Sequence, residues 1–125
     1  MSLARAIAVL AAALVLHGCG GAEPTARVQD GRVAVTLDEF LISPQNLELP
    51  AGRVTFDVVN RGRLRHSFRL WGPGGEPVAI KSLFPGDRAR RTAILRPGEY
   101  RMLMVNLTRP SDGFNWGRGA TEVVD

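Results

Sequence analysis

The chain has 125 residues, with 16 Lys and Arg against 12 Asp and Glu, a formal charge of +4 and a single cysteine. That length suits one domain of about 100 residues with a short leader and no second domain. One cysteine excludes an intramolecular disulfide, and a modest positive excess without aromatics interleaved among the arginines argues against nucleic acid as a partner.

Met1 to Arg5 carries one positive charge, and Ala6 to Leu16 is an uncharged apolar run. The run is shorter than the roughly 20 residues needed to cross a bilayer core and has the length of a signal-peptide apolar region. Leu16-His17-Gly18-Cys19 resembles the lipobox of bacterial lipoproteins. That resemblance implies a signal peptide over 1–18 and Cys19 as the lipidated first residue of the mature chain. The partner there is the membrane, reached through the anchor, and the location is extracytoplasmic, periplasmic or cell-surface. Removing Met1 to Gly18 takes away Arg5 and leaves 15 basic against 12 acidic residues, a formal +3. Gly20 to Gln29 is small, polar and Pro-containing, so 19–31 is expected to be the anchor and a flexible tether, with the domain over 32–125.

From Arg32 onward, apolar alternation of period 2 recurs between Gly and Pro breaks, the pattern of an all-β antiparallel sandwich of about eight strands. In chain order the expected strands are Arg32 to Phe40, Asn46 to Leu49, Arg53 to Asn60 and Leu64 to Trp71. Pro77 to Ile80, Arg88 to Leu95, Glu99 to Asn106 and Ala120 to Val124 follow. Turns are expected at Pro50-Ala51-Gly52, Arg61-Gly62, Gly72 to Gly75, Pro85-Gly86-Asp87 and Pro97-Gly98. Alternation places Val54, Phe56 and Val58 on one face of the third strand. It puts Leu64, His66, Phe68 and Leu70 together in the fourth, and Tyr100, Met102 and Met104 together in the seventh. Arg-Pro-Gly-Glu before Tyr100 suits a tyrosine at a sandwich corner, its ring in the core and its hydroxyl bonded to nearby backbone. Two arginine groups, Arg61, Arg63, Arg65 and Arg69, then Arg88, Arg90 and Arg91, read either as a solvated outer face or as a surface drawn to anionic lipid.

Val35-Thr36-Leu37 through Pro44, then Pro50 to Phe56, Asn60-Arg61-Gly62 and His66 follow the order of the cupredoxin, or blue-copper, family, which this chain resembles from about Arg32 to Val124. In that family an Asn-x-Gly turn leads to the first histidine ligand, and a Pro-Gly-x-Tyr segment enters the strand that ends at the cysteine ligand. The resemblance implies a Greek-key sandwich with His66 as the first ligand. Four residues beyond Tyr100, where the thiolate is expected, stands Met104, and residues 108–119 hold neither histidine nor methionine. Arg118 or Trp116 matches the family's axial methionine. A type 1 centre takes two imidazoles and a thiolate, so blue-copper electron transfer is not expected and no cofactor is assigned. The second reading is copper: His66 with Met104, helped by Met102, offers Cu(I) a soft donor set. Set against it, the methionines fill the space of an absent site and His66 bonds to Asn60 or to backbone carbonyls.

No Ser-His-Asp order, Cys-His pair, His-Glu cluster or phosphate-cradling loop appears, so no catalytic residue is assigned and an enzyme is not expected. Phe114 and Trp116 either form an apolar contact patch for a partner or fold down to plug the vacated metal pocket. The expected function is therefore that of a lipid-anchored, extracytoplasmic binding module of the cell envelope with an unnamed protein partner. A copper-handling protein built on His66, Met104 and Met102 is the alternative.

Overall fold

Alternation along Arg32–Leu37 (β2) buries Val33, Val35 and Leu37, and along Gly52–Asn60 (β5) it buries Val54, Phe56 and Val58. These two strands lie side by side in parallel, Val33 opposite Phe56 and Leu37 opposite Asn60. The computed structural model describes residues 24–39, 41–107 and 116–125. Among them are ten strands and no helix. The others are Thr25–Arg27 (β1), Ile42–Ser43 (β3), Asn46–Pro50 (β4), His66–Gly72 (β6), Gly75–Leu83 (β7), Arg88–Leu95 (β8), Gly98–Asn106 (β9) and Trp116–Val124 (β10). They form a sandwich of two sheets, β1-β4-β10-β9-β6-β7 against β3-β2-β5-β8.

The apolar faces of both sheets meet in one core that includes Leu49, Phe56, Phe68, Leu70, Ile80, Leu95, Met102 and Met104. Phe56 and Phe68 meet across it with ring centroids 6.4 Å apart and planes tilted by 44°. Tyr100 behaves as its context suggests: the ring is buried and the hydroxyl donates to the carbonyl of Arg96 at 2.9 Å. A Cβ at Gly72 would run into that ring, so the close approach of β6 to Tyr100 requires glycine there.

Four features differ from the expectation of a purely antiparallel sandwich of about eight strands. The sheets are mixed, because β1 and β10 both pair with β4 in parallel and β2 pairs with β5 in parallel. Alternation of period 2 is the same in either direction, so it carries no sign of this. Within the expected tether, Thr25–Arg27 is a strand, and Ala26 and Val28 pack against the core. Strand β10 starts at Trp116 rather than Ala120, with Gly117 and Gly119 opposite Met104 and Met102, and the Met102 methyl occupies the space a Cβ on Gly119 would need. Finally, β6 begins at His66, and residues 61–65 are a loop tied down by side chains. Phe40, expected to close the first strand, and the segment 1–23 with Cys19 lie outside the described residues.

Candidate functional site

Four strands bring a polar side chain to the same end of the sandwich. Asn60 closes β5 on its buried face, directly after Val54, Phe56 and Val58. Its amide nitrogen donates to the carbonyls of Leu64 at 2.8 Å and Leu83 at 2.9 Å, and its oxygen accepts from the Gly62 N–H at 2.8 Å. One buried amide therefore fixes the loop between β5 and β6 and ties it to the end of β7.

Glu39 follows β2 with the inward parity of Val33, Val35 and Leu37. Its Oε1 accepts from the backbone N–H of Arg63 and from that of Leu64 at 3.2 Å, so the carboxylate is a second staple on the same loop. The same oxygen lies 3.8 Å from Nε2 of His66. Glu39 keeps about a quarter of its side chain in solvent, whereas the imidazole is wholly enclosed.

His66 opens β6, opposite Leu83 on β7 and Asn106 on β9. Neither ring nitrogen has a partner within ordinary hydrogen-bond distance, but the Val105 backbone and the Glu39 carboxylate lie close enough to act on the ring as weak partners. The Asn60 amide, one of the partners the sequence suggests, is spent on the loop carbonyls instead. Burial pushes the imidazole pKa below 6.5, against the opposing pull of the Glu39 carboxylate.

The register decides which methionine can share this space. Met104 pairs with Phe68, two residues along from the His66–Asn106 pair, which makes it a diagonal neighbour of His66 at roughly 7 Å. Met102 pairs with Leu70 and Gly119, about 13 Å farther along the strand from Asn106. Its methyl group lies against Gly119. The structure thus groups Met104 with His66 and sets Met102 apart from them.

Trp116 begins β10 opposite Val105, and Arg118 is exposed opposite Leu103. Phe114 lies outside the described residues. Sequence reasoning missed Glu39 and Asn106; both continue the inward parity of their strands, which is the signal that would have found them. At the same end Phe84 is exposed, with the Arg65 guanidinium 5.5 Å from its ring centre.

These donors do not fit a type 1 copper centre. That centre takes two imidazoles and a thiolate, and the described residues contain one histidine and no cysteine. Among them no group of three or more His, Cys, Asp or Glu side chains converges. Nor is any helix there long and apolar enough to cross a membrane.

No protein-family model matches the sequence. No curated protein matches it either. Solved structures do resemble the fold. Reduced auracyanin from the photosynthetic bacterium Roseiflexus castenholzii superposes with a TM-score of 0.63 at 16% identity, over 78% of this chain and all of that one. A copper-containing nitrite reductase from Thermus scotoductus gives 0.60 at 21% identity, over 81% of this chain and 28% of the reductase. A purple cupredoxin from Nitrosopumilus maritimus gives 0.50 at 20% identity, over 74% of this chain and 99% of that one. With two facing sheets, a tyrosine corner and these likenesses in hand, the fold of this chain is that of a cupredoxin-like domain.

Proposed function

We propose that this chain is a lipid-anchored, extracytoplasmic cupredoxin-like module that binds a partner in the cell envelope and is neither an electron carrier of the type 1 copper kind nor an enzyme. One observation carries the reading. The end of the sandwich that would hold a type 1 centre presents Glu39, Asn60, His66 and Asn106, a set without a thiolate or a second imidazole. The partner contact is assigned to Phe114 and Trp116, the two aromatics at the entry to β10 in the sequence. The Cys19 anchor holds the module at the membrane.

Two experiments test this. In a bacterium that processes lipoproteins, the native chain is expected in the membrane fraction and Cys19→Ser outside it; an unchanged distribution removes the anchor. Crosslinking in the intact envelope should capture a protein whose yield falls with Trp116→Ala, and an unaltered capture pattern removes the assigned contact.

A second reading, that the module handles copper, is favoured by the buried imidazole of His66 with Met104 on the diagonal. Thioether sulfur and neutral imidazole suit Cu(I). On that reading Cu(I) affinity, measured against a competing chelator, falls in both His66→Ala and Met104→Leu. Affinity unchanged in both would remove it.

A further inference from the structure

We infer that the end of the sandwich at which His66 opens β6 is a docking surface for an anionic phospholipid bilayer, with Leu41, Phe84 and the arginines beside them turned to the headgroups. The inference rests on the reading of Cys19 as a lipid anchor and deepens it: the anchor selects the membrane, and the fold selects the face turned toward it.

The path of the chain carries the first step. Strand β1 pairs in parallel with β4, and β4 with β10, which starts opposite Val105 beside the His66–Asn106 rung. The chain ahead of Thr25 therefore enters from the His66 end, and Pro24 shares a groove with Leu41 and Pro44. Through Asn46 and Ala120, Thr25 lies level with Arg101, five residues or about 17 Å along the strand from Asn106. Cys19 stands five positions before Pro24, a span of at most about 18 Å. An acyl group on Cys19 thus enters a bilayer that lies close against this end, and the domain cannot stand clear of it.

The surface there is complementary to anionic lipid. Leu41, on the turn after β2, is 58% exposed, and Phe84, after β7, is 57% exposed. Arg61, Arg63 and Arg88 are exposed at the same end, and none has an ion-pair partner among the described residues. Arg61 and Arg88 flank one groove with Gly62 and Gly86. The Arg65 guanidinium lies over the Phe84 ring, so an aromatic suited to the headgroup boundary has a cation for lipid phosphate beside it. The acids of this end are otherwise engaged: Asp38, Glu39 and Asp87 each accept a backbone N–H of the loops. Toward the opposite end the exposed aromatic, Trp71, donates to the Glu76 carboxylate, which an anionic surface would repel.

The test uses the chain processed in a bacterium that acylates lipoproteins and reconstituted in vesicles of phosphatidylglycerol and phosphatidylcholine. A fluorophore is attached through Pro85→Cys, on the turn after Phe84, or through Ala51→Cys, at the opposite end, and a nitroxide lipid in the bilayer quenches whichever lies against it. Strong quenching at position 85 and none at 51 is expected. At position 85 it should weaken with Phe84→Ser, with Arg61→Glu, Arg63→Glu and Arg88→Glu combined, and in about 1 M salt, where charges are screened beyond about 3 Å. The chain should stay with the vesicles in each case, with circular dichroism confirming that every variant is folded. Equal quenching at both positions, quenching at 51 alone, or quenching at 85 unmoved by charge reversal overturns the inference. So does a position 85 that is open on lipid vesicles yet shielded in the native envelope, which would assign this end to a protein. A chain that carries no acyl group and leaves the vesicles is a separate result, which overturns the anchor reading and the inference with it.

Discussion

His66 stands directly opposite Asn106 in the register of β6 and β9, and both side chains are buried. This rung pairs an imidazole with a carboxamide. The residue four past Tyr100 lies one inward position earlier, beside Phe68. The chemistry of this end therefore follows from a rung of uncharged and weakly basic groups, with the Glu39 carboxylate beside the ring and Asp38 adding to the negative field there.

Acidification should unfold the protein through His66. Burial keeps the folded pKa below 6.5, while the unfolded chain takes up its proton near about 6.5. Between those two values the unfolded state binds more protons, so stability rises with pH there. It is fully present above about 6.5 and is lost as pH falls toward the folded pKa. Urea midpoints taken between about pH 7.5 and 5.5 should fall more steeply for the native chain than for His66→Gln. Parallel falls in the two would show that the ring is not held neutral by burial.

Asn60→Ala should cost on the order of 3 kcal/mol. The change removes three hydrogen bonds of 2.8 to 2.9 Å from a fully buried amide and leaves the carbonyls of Leu64 and Leu83 without that donor. Equilibrium denaturation measures this. A loss below about 1 kcal/mol would mean that the β5–β6 loop is held chiefly by Glu39.

Gly119→Ala should also destabilise, by about 1–3 kcal/mol. The added Cβ would fall 2.6 Å from the Met102 methyl and 2.7 Å from the carbonyl oxygen of Gln45. The methyl can swing away, but the carbonyl belongs to the backbone beside β10 and cannot. Combining the change with Met102→Ala should therefore recover only part of the loss, and full recovery would assign the clash to the methionine alone.

Arg90→Ala is expected to change stability by no more than about 0.5 kcal/mol. Its contact with Asp57 is 3.3 Å long, but the arginine side chain is 68% exposed and solvent screens the pair. A thermal melt resolves a larger effect easily, and a clear fall in midpoint would mean that the outer face of β5 and β8 is more than a solvated surface.

The apolar rows of β5, β6 and β9 were legible in the sequence because each alternates strictly and each faces one core. His66 and Met104 came from the same rows. Glu39 and Asn106 did not: both fell within expected strands, but a polar residue near a strand end reads as solvated until another strand is known to lie beside it. The grouping of Met104 with His66, and the distance of Met102 from both, depends on register between β6 and β9. Register is fixed by tertiary pairing and not by spacing from Tyr100. The strand Thr25–Arg27 was hidden for a related reason: three residues are too few to show a period, and only the open edge of β4 gives them a partner.

The central claim is a cupredoxin-like fold without a type 1 copper centre, and one equivalent of Cu(II) added to the full chain with Cys19 intact tests it most directly. Absorbance across the visible range should show no intense thiolate-to-copper band. An intense band that disappears in both Cys19→Ser and His66→Gln would contradict the account.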